Sequence, residues 1–277
     1  MRVAIFGDIH GNTIALNAVL ADIDAKGGVD DYWILGDLVA IGYDPVGVLE
    51  RLSLLPSAKF VRGNTDRYIL TGELPPPTLE EVQSNPGRLP IFIHMAQSFA
   101  WTAGAVTASK WDDWLRALPL EHRTRLPDGT NYLGVHASPG NDDGTGFYPG
   151  MGDEQLQSVL AECDAELVCV GHTHTVLDIE VGGIRVINPG SVSNPFPPDL
   201  RASYAILQAD DSGYSIEFMK VEYDRDAVIE AVQRANHPAK EYIIRFMRGE
   251  NRRGKNPNQH KPGFLPNLRL ICRCLRF

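Results

Sequence analysis

Short apolar runs that stop abruptly in polar, glycine-flanked loops set the pattern of this chain. Arg2 to Phe6 reads as a buried strand, and Thr13 to Ala25 as a helix, since Ile14, Leu16, Val19, Leu20 and Ile23 recur at helical spacing. The two form a β-loop-α unit. Tyr32 to Leu35 and Lys59 to Val61 are the next strands, each running into a polar loop. After a proline-rich break at Pro75 to Pro77 the pattern changes: Met95 to Trp101 and Trp111 to Leu118 are compatible with helix, which predicts a helical cap inserted over about residues 75–120. Arg123 to Leu126 and Tyr132 to Val135 flank an Asp128-Gly129 turn and predict a hairpin. Glu154 to Glu162 reads as helix and Leu167 to Val170 as strand. Two further hairpins join Ile179–Val181 to Ile184–Ile187 and Ser203–Gln208 to Ser215–Val221, before a closing helix over Asp226 to Ala235. No internal repeat is evident.

The polar loops carry the chemistry. Five of them read GDIHGN (Gly7 to Asn12), GDLV (Gly36 to Val39), GNTD (Gly63 to Asp66), GVHASPG (Gly134 to Gly140) and GHTHT (Gly171 to Thr175). Each brings Asp, His or Asn next to a glycine that lets the backbone turn. Asp8 and His10 are two residues apart, as are His172 and His174, so an extended backbone would point each pair to one side. Carboxylates, imidazoles and an amide oxygen, with no thiolate, suit first-row divalent or trivalent ions: manganese foremost, with iron, zinc, cobalt or nickel as alternatives. Asp8, His10, Asp37, Asn64, His136, His172 and His174 are too many ligands for one ion, and a bridging carboxylate would divide them evenly between two. A pair of such ions is a device for in-line attack on phosphorus by a hydroxide held between them, so phosphoester hydrolysis is the expected reaction.

Composition narrows this little. With 277 residues and 43% hydrophobic content, the chain is long enough for a full core in one large α/β domain, read here as residues 1–235. MRVAIF runs straight into the first motif without a signal-peptide layout, and no apolar run approaches the roughly 20 residues of a membrane span, so a cytoplasmic protein without a membrane partner is expected. Cys163, Cys169, Cys272 and Cys274 form neither a CxxC pair nor a disulfide framework. Charge is uneven: from Asn236 onward ten Lys or Arg face two Glu, a surplus of eight, so with a net charge of −9 the rest carries −17. So acidic a body argues against a broad nucleic-acid surface. Residues 236–277 read as a basic, partly flexible extension.

The order and spelling of the five motifs, together with GDLVAIGYDP (Gly36 to Pro45), NPGSVSNP (Asn188 to Pro195) and RASYAIL (Arg201 to Leu207), resemble the calcineurin-like metallophosphoesterases over roughly Met1 to Leu207. The branch most similar is the bacterial and archaeal one near the symmetrical diadenosine tetraphosphatases and small protein phosphatases. The resemblance implies a four-layer α-β-β-α sandwich of two mixed sheets. It also implies that Asp8, His10, Asp37 and His174 hold one ion and Asp37, Asn64, His136 and His172 the other, with Asp37, Asn64, Asp66 and His136 as the catalytic residues. Thr65 stands where the family's third motif usually has a histidine that protonates the leaving oxygen. A threonine hydroxyl can bind phosphate but is no acid near neutral pH, which favours aryl and anhydride leaving groups. Asp66, His94 or a metal-bound water could supply the proton instead. Asn12, Asn64, Thr65 and Arg67 are the expected substrate contacts, although Asn12 could simply cap a helix and Arg62 or Arg67 could pair with acidic surface. Expected substrates are small phosphoesters, dinucleotide polyphosphates or phosphoproteins. The competing readings are a non-catalytic binding module of the same fold and a nuclease of the superfamily.

Overall fold

The computed structural model describes residues 1–250. Two five-stranded sheets face each other. In the first, β1 (Arg2–Phe6) sits centrally, parallel to β2 (Asp31–Ile34), which is parallel to β3 (Ala58–Phe60); β9 (Ala202–Asp210) runs antiparallel to β1, with β10 (Gly213–Val221) at the edge. The second has the order β4-β5-β6-β8-β7, built from β4 (Glu121–Arg125), β5 (Asn131–Val135), β6 (Leu167–Cys169), β7 (Leu177–Val181) and β8 (Ile184–Asn188). Its inner pairs β5-β6 and β6-β8 are parallel, and the outer hairpins are antiparallel.

Side-chain alternation explains the layering. On β2, Trp33 turns inward with Leu35 just beyond it, while Tyr32 and Ile34 turn outward. The inward set meets Val3, Ile5, Tyr132, Leu167, Cys169 and Ile187 to form the core between the sheets, where Trp33 and Tyr132 ring centroids lie 4.1 Å apart. The outward face of the first sheet is covered by α1 (Thr13–Ala25), α2 (Pro45–Ser53), α3 (Asn64–Thr71) and α5 (Leu89–Ala108); that of the second by α7 (Asp153–Leu160). The result is the expected four-layer α-β-β-α sandwich. Each fully buried Leu, Ile or Val in these clusters contributes about 1.5–3 kcal/mol relative to an exposed one.

Most predicted elements recur within two residues at each end, and the hairpins recur with their turns. The cap differs. Its central helix α5 spans 20 residues, where the periodicity indicated helix only from Met95. It has no Asp, Glu, Lys or Arg and buries Ser98, Phe99, Thr102 and Val106 in its second half alone, so its first half shows no one-sided apolar stripe. It is flanked by α4 (Leu79–Ser84) and α6 (Asp112–Arg116). Two helices were not anticipated beside the motifs: α2, which starts at an Asp44 cap followed by Pro45, and α3, which starts inside the third motif. Asp-Pro and Gly-Asn read as turn signals, and both helices run fewer than ten residues.

At the far end, α8 (Arg225–Arg234) is followed by α9 (Lys240–Met247). Val228 and Val232 pack against Ile243 and Met247, so the stretch 236–250, read as the start of the extension, is built into the fold. The remainder of that extension, from Asn251, lies outside the described residues. No helix among the described residues is long and apolar enough to cross a membrane.

Candidate metal centre

The seven predicted ligands all follow the C-terminal ends of parallel strands: Asp8 and His10 in the loop after β1, Asp37 after β2, His136 after β5, and His172 and His174 after β6, while Asn64 opens α3 just beyond β3. The backbone that brings them together is not extended, contrary to the expectation for the two i, i+2 pairs. Asp8 (φ 53°), His10 (48°), Asp37 (55°), His172 (66°) and His174 (55°) all adopt left-handed conformations. Such residues cost on the order of 1–3 kcal/mol each outside glycine, and they persist where the surroundings over-determine them. Two glycines are needed for close approach. A Cβ on Gly36 would stand 2.5 Å from the Gly63 nitrogen, and one on Gly63 would stand 2.1 Å from Asp37 Oδ1.

The imidazoles are oriented by carbonyls. A carbonyl can only accept, so each ring nitrogen facing one must carry the proton. His10 Nδ1 donates to Ala40 (3.1 Å), His136 Nδ1 to Leu35 (2.6 Å), His174 Nδ1 to Asn194 (3.0 Å) and His172 Nε2 to Gly144 (2.9 Å). The other nitrogen of each ring therefore faces the centre as a ligand atom, the arrangement typical of metal-bound histidine.

Two groups result. In the first, His10 Nε2 and His174 Nε2 approach to 3.1 Å, His174 Nε2 lies 3.2 Å from Asp8 Oδ1, and His10 Nε2 lies 3.7 Å from Asp37 Oδ2. One ligand atom from each of Asp8, His10, Asp37 and His174 falls within 4.8 Å of the others. In the second, Asn64 Oδ1 lies 3.1 Å from His136 Nε2 and 3.2 Å from His172 Nδ1, and His136 Nε2 is 3.4 Å from Asp37 Oδ1. The two Asp37 oxygens face different groups.

Lone pairs pointing at lone pairs at such distances repel unless a cation lies among them. Asp8 and Asp37 are both held below the usual carboxylate range: burial opposes ionisation, but His174 and His136 respectively, with the other imidazoles, outweigh it. Burial alone would lower His136; the Asp37 charge reverses this and pushes it up to about 10. His10 is depressed by burial. The centre thus draws positive charge, as protons or as metal ions. Asp8 Oδ2 is fully buried without a hydrogen-bond partner, and the oxygen and nitrogen donor set fits a first-row ion.

Other candidates are placed differently. Asp66 was a possible proton donor, but it is fully buried and both of its oxygens are occupied: Oδ2 accepts from the Asp37 (2.9 Å) and Gly63 (3.0 Å) amides and Oδ1 from Leu38 (2.9 Å). It therefore braces the Asp37 loop, and cannot reach a leaving oxygen. Burial and the Asp37 carboxylate push it up to about 7. Asn12 caps α1 through Oδ1 and donates from Nδ2 to Ser193 Oγ. Arg67 and Arg62 both pair with Asp142, the acidic alternative considered for them. His94 is exposed on α5. Thr65 donates its amide to Asp37 Oδ1 at 3.0 Å, while its buried Oγ1 has no hydrogen-bond partner.

Sequence reasoning missed the supports. Ser191 Oγ donates to the Asp8 carbonyl (2.9 Å) and Asn188 Nδ2 to the Gly171 carbonyl (2.6 Å), so the NPGSVSNP segment ties the first motif to the fifth. Asp142 and the Gly144 carbonyl lie in a plain NDDG stretch that carries no signal beyond a turn. Beside His10 a cavity of about 10 Å³, room for one water, is bounded by Tyr43, Tyr242 and Phe246.

Comparison with known proteins identifies the family and the fold. An uncharacterized protein of Methanocaldococcus jannaschii is 28% identical over 251 residues, which cover 85% of this chain and 93% of that protein. A symmetrical bis(5'-nucleosyl)-tetraphosphatase of Pectobacterium carotovorum is 39% identical over only 71 residues, 25% of each chain. The crystal structure of a metallophosphoesterase from Sphaerobacter thermophilus matches 91% of this chain and 99% of that one with a TM-score of 0.70 and 27% identity. A hypothetical protein of Pyrococcus horikoshii shares the fold, with a TM-score of 0.72 at 22% identity. Residues 1–212 match the family model of the calcineurin-like phosphoesterase superfamily domain, and by that match the chain belongs to this metal-dependent superfamily.

Proposed function

We propose that the protein is a dinuclear-metal phosphohydrolase acting on phosphoesters or phosphoanhydrides whose leaving group departs without a strong acid. One observation carries the reading: four imidazoles, each fixed by a carbonyl, turn their free nitrogens onto two carboxylates and an amide oxygen. Asp8, His10, Asp37 and His174 would hold one ion, and Asp37, Asn64, His136 and His172 the other, manganese first among the candidates. Bound there, the ions would supply a hydroxide at neutral pH and neutralise charge on the phosphoryl oxygens.

The chain's own residues do the positioning. Asp66 fixes Asp37 from behind, and Thr65 presents its unpaired hydroxyl at the start of α3, where a helix N-terminus favours an anion. Thr65 is therefore a phosphate contact and no proton donor. Arg67 would reach substrate only by leaving Asp142. The short match to a tetraphosphatase supports a dinucleotide polyphosphate as substrate, alongside aryl monoesters; a phosphoprotein is the further option. The intact ligand set disfavours a non-catalytic module, and the acidic body disfavours a nuclease.

Screening manganese-reconstituted protein against aryl phosphates, diesters, dinucleotide polyphosphates and phosphopeptides tests this. Turnover of an aryl ester or anhydride that vanishes in Asp37→Ala is the expected result. A fully loaded protein inert towards all four classes would overturn the reading in favour of a binding module.

A further inference from the structure

We propose that Asp142 is a positioning residue that holds Asn64 and His172 in place as a unit, and so governs the second ion selectively; the inference rests on the dinuclear reading above. Asp142 is 4% exposed and stands between two guanidinium groups. Arg62 Nε and Nη2 each reach Oδ2 at 2.8 Å, and Arg67 Nε lies 3.1 Å from Oδ1 and 3.2 Å from Oδ2. These two arginines bracket the Gly63-Asn64 segment in sequence, so one carboxylate grips the loop that carries Asn64 from both sides.

The same loop serves His172. Two residues beyond Asp142, the Gly144 carbonyl accepts from His172 Nε2 at 2.9 Å, which leaves Nδ1 free to face Asn64 Oδ1. Gly146 packs against the ring closely enough that a Cβ there would stand 2.9 Å from His172 Cδ2. Asp143 adds a contact from Arg67 Nη2 at 3.1 Å and one from the Tyr68 hydroxyl. Paired amide-carbonyl bonds between Ser138 and Asn141 close the turn that launches the loop just after His136. The first group is oriented mainly from elsewhere, although the His172 amide donates to Asp8 Oδ1 at 3.2 Å. His10 and His174 are oriented by Ala40 and Asn194, and Asp8 is backed by Ser191 and Ser193.

Removing the Asp142 charge takes away the ion pair of Arg62, while Arg67 keeps Asp143 and Glu73, so Arg62 is the guanidinium that must swing out. Both the Asn64 loop and the Gly144 carbonyl then lose their common anchor. Loss of a partner that orients a ligand typically weakens metal binding about 10- to 100-fold.

The test is Asp142→Asn, which keeps size and removes charge, with Arg62→Gln as a milder cut of one arm should the first variant fold poorly. Metal-free protein is titrated with manganese against a competing chelator. In Asp142→Asn one site should weaken about 10- to 100-fold while the other stays within about twofold, and Arg62→Gln should move the same site less. A second readout needs no metal: nitrogen-15 imidazole spectra of metal-free protein should show His172 in its Nε2-protonated form in the wild type and a tautomer mixture in Asp142→Asn. Equal weakening of both sites, or an unchanged His172 tautomer, overturns the proposal. If the wild type itself binds one ion, the dinuclear reading fails, and the His172 tautomer alone decides the role of Asp142.

Discussion

Replacing Asp66 tests whether the Asp37 loop is held from behind. Its two oxygens accept three buried backbone amides, from Asp37, Leu38 and Gly63. In Asp66→Ala all three donors lose their partner, at about 1–3 kcal/mol each for an unsatisfied buried group. Partial relaxation brings the expected loss to about 3–6 kcal/mol, a large share of the about 5–15 kcal/mol that holds a domain folded. Asp66→Asn can keep its carbonyl oxygen on the Asp37 and Gly63 amides, but its NH₂ then faces the Leu38 amide, donor against donor. It should cost about 1–3 kcal/mol. Urea unfolding of metal-free protein, followed by fluorescence of the buried Trp33, measures both, and the slope of the transition should not change. Losses below about 1 kcal/mol in both variants, or an Asn variant as damaged as the Ala one, would refute the brace.

Asp37→Ala should abolish turnover and weaken both ions, whereas Asn64→Ala should release mainly one, as read by elemental analysis after dialysis; equal mild losses would contradict the ligand map. Thr65→His should raise turnover of alkyl phosphates by up to about 10²-fold, the low end for a positioned acid, and leave aryl esters nearly unchanged. A wild type that hydrolyses alkyl and aryl monoesters equally fast would show that an acid is already present. His237 is fully buried beside Trp101, and burial lowers it to about 4 from 6.5. The unfolded chain therefore binds a proton that the native ring refuses, and stability should fall as pH drops from about 6.5 towards 4. Guanidinium unfolding should show this slope weakened in His237→Gln, by on the order of 2 kcal/mol across the window; parallel profiles would rule it out.

The sequence by itself determined the strands and named the candidate ligands, because both rest on local rules. A short, mostly apolar run such as Arg2 to Phe6, stopped by a glycine-flanked polar loop, reads as a buried strand, and Asp, His and Asn repeated across five such loops read as ligands. Periodicity shows α1, and it is present in α2 as well, where Pro45, Val48, Leu49 and Leu52 recur at helical spacing behind an Asp-Pro start that reads as a turn; α3 begins inside a motif and carries no such stripe. Periodicity could not see the first half of α5, where Leu89, Ile91 and Ile93 remain exposed. Tertiary structure alone decided what each polar group does. Asp66 and Asp37 are both motif aspartates, yet one turns to three backbone amides and the other to the imidazoles. Arg67 lies one residue beyond the third motif, and only the fold brings it to Asp142, 75 residues away in sequence. The left-handed backbone at Asp8, His10, Asp37, His172 and His174 is likewise decided by the fold: Asp and His tolerate that region better than most residues, but five such positions together persist only where the surroundings hold them. Local rules assign residue chemistry; which partner each charge meets depends on contacts across the two sheets, which no short window of sequence contains.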